Sequence, residues 1–177
     1  MTRLARTSAA IIAAAMILVG CTGDTSIATF PPVSLGPGPI SAATTETRHL
    51  IEVALLAQGL QAGPPATQFR PAESASLAAA PRLLLQVLLP DDPDHGYVTV
   101  YELSDATTAE AAAREQATYV GSGIGRVQFP PDTQFVIRTV GATVIFFSWS
   151  AANSPDERTP KIASALETVG TGVSIPL

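Results

Sequence analysis

The stretch from Thr133 to Trp149 constrains the fold more than any other part of this chain. Thr133–Val140 and Thr143–Trp149 are rich in β-branched and aromatic residues, and only Gly141-Ala142 separates them. A two-residue connection with Gly at its first central position fits a type II′ turn, so the two runs read as a β-hairpin. A hairpin demands antiparallel pairing. Phe135, Ile137 and Val140, with Ile145, Phe146, Phe147 and Trp149, carry much of the bulk available for a core. The chain has one cysteine, Cys21, so no disulfide forms within it and the fold must stand on that core.

The remaining elements fall around this hairpin. Leu50, Ile51, Ala54, Leu55 and Ala57 recur at helical spacing and predict a helix from about Thr45 to Gln61, ended by Gly63-Pro64-Pro65. Gly63 to Arg82 is irregular and proline-rich, with Thr67–Arg70 as a short edge strand. Leu83–Leu89 and Tyr97–Leu103 predict a first hairpin across a loop of Pro, Asp and Gly. A helix follows to about Tyr119, capped by Thr107 with Glu110 or by Asp105. Its inner face is Ala109, Ala112, Ala113, Ala117 and Val120. Arg126–Phe129 is a further short strand. Thr159 caps a last helix, opened by Pro160, with Ile162, Leu166 and Val169 as its buried stripe and Gly170 as its stop. The order α-β-β-α-β-β-α predicts an α+β domain, a single antiparallel sheet of two hairpins with helices on one face. Helix-then-hairpin occurs twice, which suggests a duplication.

Ahead of this domain lie two segments of different character. Arg3 and Arg6 precede an apolar run from Thr7 to Gly20. The run is shorter than the ~20 residues that span a bilayer as a helix and fits the core of a secretory signal peptide. It closes on Leu18-Val19-Gly20-Cys21, which resembles the lipobox of bacterial lipoproteins. The resemblance implies that residues 1–20 are cleaved and that Cys21 becomes a diacylglyceryl-modified N-terminus. Two acyl chains suffice for stable membrane anchoring. The expected location is the extracytoplasmic face of the cell membrane, or the outer membrane where the source has two. Residues 21–43, with Pro31-Pro32 and Gly36-Pro37-Gly38-Pro39, read as a lipid-anchored flexible linker, and residues 44–177 as the single domain. An alternative has Ile27, Phe30, Val33 and Leu35 packing on the domain as an extended arm. The formal charge of the whole chain is −5, and loss of Arg3 and Arg6 makes the mature chain more acidic. That excludes the basic footprint of a nucleic-acid binder.

Val98-Thr99-Val100-Tyr101-Glu102-Leu103, then Asp105-Ala106, an Ala- and Glu-rich helix, and Pro130-Pro131 before a strand pair resemble a group of uncharacterised bacterial lipoproteins. Those carry a V-x-V-Y-E-Y-x-D-A-x-x-A segment and a later P-P-H-F entry to a strand. This chain departs from them at Asp132–Phe135. The resemblance runs from about Thr47 to Gly170 and implies no activity.

Chemistry-bearing constellations are sparse. The histidines are His49, beside the stripe of the first helix, and His95; a Ser-His-Asp set has to use one of them. There is no G-x-S-x-G elbow and no H-E-x-x-H helix. Asp91, Asp92, Asp94 and His95 cluster as oxygen ligands for Ca²⁺ do, but their spacing matches no EF-hand and they sit among turn-forming Pro and Gly. Gly121-Ser122-Gly123-Ile124-Gly125 follows a helix, where a phosphate-binding loop follows a strand, so it reads as a helix end. No metal and no cofactor is expected. The expectation is a non-catalytic interaction module that binds an envelope protein, with a small-molecule carrier or sensor as the alternative. A pocket under the helices would favour the carrier, an open apolar sheet face the interaction module. Trp149 is the candidate interaction residue. It belongs to the core if the face of Ile145 and Phe147 is the core face, and to a binding patch if that face is open.

Overall fold

The computed structural model describes residues 40–176. In chain order the elements are α1 (Ala42–Ala57), β1 (Ala62–Gly63), α2 (Ala75–Ala79), β2 (Arg82–Val87), β3 (Tyr97–Glu102), α3 (Ala106–Gly121), α4 (Gly123–Arg126), β4 (Gln134–Val140), β5 (Thr143–Trp149), α5 (Thr159–Leu166) and β6 (Thr171–Gly172). The domain is α+β, with one six-stranded sheet in the order β1-β2-β3-β5-β4-β6 and every neighbouring pair antiparallel. The β4–β5 hairpin runs in register from Gln134 opposite Trp149 to Val140 opposite Thr143. Gly141 takes φ +52° and no non-glycine residue among those described has positive φ, as a type II′ turn requires. Pairing of β3 with β5, from Val98 opposite Phe147 to Glu102 opposite Thr143, joins the two hairpins. Two-residue strands stand at both edges, β1 beside Gln86–Val87 of β2 and β6 beside Arg138–Thr139 of β4.

Register decides which side chains share a face. Leu85, Val98, Val100, Val136, Ile145 and Phe147 pack with Ile51 and Leu55 of α1 and Ile162 and Leu166 of α5. Tyr101, Ile137, Val144 and Phe146 lie on the opposite face, under Ala109, Ala112, Ala113, Ala117 and Val120 of α3 and Leu77 of α2. The helices therefore cover both faces of the sheet, not one. The physical reason is visible in the two central strands. Tyr97–Tyr101 and Thr143–Phe147 are buried at every position. A half-exposed strand alternates apolar with polar residues, whereas the run Val144-Ile145-Phe146-Phe147 is continuous and needs cover on both sides. The alanines of α3 let its backbone lie close over Phe146, and each fully buried Phe contributes roughly 1.5–3 kcal/mol. α1 and α3 lie on opposite faces, so the two helix–hairpin units are not copies of one arrangement.

Several boundaries differ from the sequence expectation. α1 begins at Ala42, and Ser41 caps it, its Oγ accepting the Thr44 N–H at 3.1 Å. The first helix and its cap thus begin at Ser41, ahead of residue 44. The buried row of α1 is Thr44, Thr47, Ile51 and Leu55, while Leu50 and Ala57 face outward. Thr47 and Thr143 hydroxyls bond at 2.8 Å, and Thr44 donates to Glu102 at 2.7 Å, so polar pairs complete this contact. Asp105, not Thr107, caps α3, accepting the Thr108 N–H at 2.8 Å. Thr67–Arg70 and Arg126–Phe129 are not strands; the second lies at the end of α4 and the turn after it. Thr159 is the first residue of α5 and Arg158 occupies its cap position. Gly170, at φ +59°, ends the turn after α5 as expected. The leader, Cys21 and the arm residues Ile27 to Leu35 lie outside the described residues.

A chain beginning at residue 44 loses the Ser41 cap, whereas one beginning at residue 40 keeps it. The shorter chain is expected to be less stable by about 1 kcal/mol, a drop of a few degrees in Tm, read by circular dichroism. Equal melting of the two would show that the cap contributes nothing.

Candidate functional site

α3 covers only part of its face of the sheet. Toward the start of β3 and the end of β5 the cover is the irregular segment from Pro64 to Ser74, held by buried polar side chains. Gln86 on β2 accepts the Ala66 N–H at 2.9 Å and donates to the Pro93 carbonyl at 2.7 Å. Gln116 on α3 accepts the Ser74 N–H at 2.6 Å and donates to the Ala72 carbonyl at 3.0 Å. Between them Glu73, its side chain 2% exposed, accepts from Arg70 Nε at 2.7 Å, Arg82 Nη1 at 3.2 Å and Tyr101 OH at 2.7 Å. Burial, and then the adjacent Glu73 charge, push the Tyr101 phenol far above its usual range, so it stays a donor. Phe69 stacks on Tyr97 with ring centroids 4.5 Å apart, and Tyr97 OH shares a 2.7 Å bond with Thr67.

This segment stops short of the loop that follows α4, and a cleft of about 260 Å³ lies between them. It opens where β3 starts and β5 ends, with Phe69, Pro71, Tyr97, Phe129 and Trp149 among its apolar lining. Thr133, Ser148, Ser150, Asn153, Ser154 and Thr159 supply hydroxyl and amide groups. Six buried side-chain polar atoms among the described residues have no hydrogen-bond partner, and three of them, Thr133 Oγ1, Trp149 Nε1 and Thr159 Oγ1, belong to residues that line the cleft but are themselves inaccessible to solvent. Thr133 is 5% exposed and Thr159 1%. An unsatisfied buried donor or acceptor costs about 1–3 kcal/mol, so three beside one cleft need a physical account.

The sequence candidates are placed as follows. Trp149 lies on the face of Ile145 and Phe147, packs half-buried against the core under α1 and α5, and also lines the cleft. The core and binding readings of this residue therefore meet in one place. His49 is exposed on α1. His95 Nδ1 bonds Asp92 Oδ1, and the imidazole lines the cleft. No hydroxyl is hydrogen-bonded to its other nitrogen, so no nucleophile–base pair is assembled here. Asp91 turns toward Arg158 Nη2 at 3.9 Å and Asp94 is exposed. Among the described residues no three His, Cys, Asp or Glu side chains converge as metal ligands. Phe69, Phe129, Thr133 and Thr159 were not legible as site residues. Thr159 carries a cap signal that the fold does not use, and the others sit in segments without periodicity.

Two aspartates brace the loops beside the cleft. Asp132 accepts from Ser150 Oγ at 2.7 Å and from the Ala152 N–H at 2.9 Å. Asp156 accepts from the Arg158 guanidinium and backbone N–H and from the Asp91 N–H. The Ser150 bond chiefly holds the Asp132 carboxyl below its ordinary value, and the Arg158 bond does so for Asp156.

No family model, no curated protein and no solved structure matches this chain. No helix among the described residues is long and apolar enough to cross a membrane.

The two carboxyls give a signed pH dependence. Their pKa values fall on folding from an ordinary value of 3.8, so their stabilisation is present above that value and is lost as pH falls below it. The double variant Asp132→Asn, Asp156→Asn is expected to melt below the parent chain at pH 6. The gap should shrink below about pH 4, where the parent also loses these charges. A gap of constant size across thermal melts from pH 2 to 7 would contradict the assignment.

Proposed function

We propose that this chain is a lipid-anchored, non-catalytic binding protein of the bacterial cell envelope, tethered through acylated Cys21, whose ligand is a small molecule held in the cleft. The observation that carries the ligand part is the cleft itself, where Phe69, Tyr97, Phe129 and Trp149 stand beside hydroxyl and amide groups. Sequence reasoning favours a macromolecular interaction module instead. The geometry moves the preference, because both faces of the sheet are covered and no open apolar sheet face is left to dock a partner. A concave, mostly apolar lining with a few polar groups is the usual composition of a small-molecule site. The non-catalytic part rests on the sequence, which carries no G-x-S-x-G elbow and no H-E-x-x-H helix.

The interaction reading keeps one specific observation. Leu50, Val53 and Leu56 form an outer row on α1, 39%, 52% and 66% exposed. That row is shorter and more open than the cleft is enclosed, and it holds no unsatisfied polar group to define a partner.

Two measurements test the proposal. Trp149 is the only tryptophan, so its emission reports on the cleft directly. A fragment library titrated into the full chain in mild detergent is expected to yield compounds that change this emission saturably. Those responses should be lost in Phe69→Ala. A library with no such compound, together with a specific crosslink from α1 to an envelope protein in intact membranes, would favour the interaction module. Separately, Cys21→Ala is expected to leave the detergent-soluble membrane fraction or to accumulate uncleaved. Fractionation and processing identical to the parent would overturn the anchor.

A further inference from the structure

The two walls of the cleft are held in different ways. On one side, the turn after α4 carries its own backbone bonds, from the Phe129 N–H to the Arg126 carbonyl at 3.1 Å and from the Thr133 N–H to the Pro130 carbonyl at 3.0 Å. Arg126 Nη1 adds a bond to the Thr133 carbonyl at 3.1 Å, and Asp132 fastens the turn to Ser150 and Ala152. On the other side, over residues 64–73, no backbone group bonds another backbone group among the described residues. Pro64, Pro65 and Pro71 have no N–H to offer.

Side chains of the sheet and α3 hold this second wall instead. Gln86 takes the Ala66 N–H at one end. Gln116 spans the Ala72 carbonyl and the Ser74 N–H at the other, where Glu73 also reaches Arg82 and Tyr101. Between the two ends Phe69 stacks on Tyr97. Arg70 bonds Glu73 and the Ala78 carbonyl, so it belongs with the segment and α2. The chain has room to turn at both ends. A Cβ at Gly63 would meet nothing within 4 Å, and α2 starts at Ser74 without a side-chain cap bond.

Segments whose backbone takes no part in helix or ladder open at lower cost than the core, and they open in contiguous units. We propose, resting on the cleft-binding reading above, that residues 64–74 are a strap that lifts as one unit while the sheet and the opposite wall stay folded, and that a ligand enters the cleft by this movement. The stack on Tyr97 lies between the two clasps, so release of either end displaces it and loosens the other. Lifting carries Phe69, Pro71 and Ala72 away from Phe129 and Pro130 across the cleft. A ligand seated against Phe69 makes contacts that exist only with the strap down, so binding shifts the strap toward closure.

Amide hydrogen exchange on the full chain in mild detergent, resolved by NMR, tests this. Two amides bridge strap and body, Ala66 N–H to Gln86 and Ser74 N–H to Gln116. Both are expected to show one shared protection, at least about a hundredfold below that of Val100 and Ile145 on the central strands, with a weaker urea dependence. Gln116→Met frees Ser74 directly. A strap that lifts as a unit requires that it also speed exchange at Ala66, about tenfold, the value of one buried hydrogen bond, with Val100 and Ile145 unchanged. If that variant does not fold, Glu73→Gln is read in the same way. The strap is overturned if Ala66 and Ser74 share the protection and urea slope of Val100 and Ile145, if either exchanges as fast as an unfolded chain, or if Ala66 ignores the substitution. Compounds that change Trp149 emission saturably should slow both amides. Compounds that bind and leave both rates unchanged would overturn the strap's role in entry while the cleft reading stands. Amides that open together in a chain that binds no compound would support the strap and sink the cleft reading.

Discussion

The buried carboxylate of Glu73 is the contact on which the rest of the candidate site depends. A charge taken out of water costs several kcal/mol unless its partners replace the lost hydration. Here Arg82 comes from the start of β2, Tyr101 from near the end of β3, and Arg70 from the same irregular segment. One side chain thus ties the Pro64–Ser74 segment across the β2–β3 hairpin. It acts together with the Gln86 and Gln116 bonds and the Phe69–Tyr97 stack, which fix the same segment. The neutral Tyr101 phenol belongs to the same arrangement, since an ionised phenol would repel Glu73.

The distribution of polar satisfaction separates scaffold from site. Gln86 and Gln116 are buried and use both ends of their amides, each pinning backbone that no ladder reaches. Thr47 and Thr143 satisfy each other across α1 and β5. Asp132 and Asp156 hold the loops on the far side of the cleft. Against that background the unpaired atoms of Thr133, Trp149 and Thr159 stand out by position as much as by number. Three elements contribute them: the turn before β4, the end of β5 and the start of α5.

Trp149 links the two halves of the molecule's logic. Its ring extends the apolar face shared with α1 and α5, and the residue is also among those that line the cleft.

The antiparallel hairpin of β4 and β5, the alanine face of α3 and the glycine stops at Gly141 and Gly170 were legible in the sequence. Each depends on local spacing, turn geometry or side-chain size, which neighbouring residues alone determine. The α+β class and the single sheet followed from two hairpins. The helices' placement on both faces did not, although the unbroken run Val144–Phe147 carried the signal; strand patterns tell how many faces are buried only when burial is read at every position. The site was least legible. Phe69, Thr133 and Thr159 are far apart in sequence, and long-range polar contacts place their neighbourhoods, through Glu73, Gln86 and Gln116 for the first and through Asp132 and Asp156 for the loops beside the other two. Spacing along the chain determines elements; which side chains share a cleft is decided by tertiary contacts, because a cleft is formed by what those elements leave uncovered.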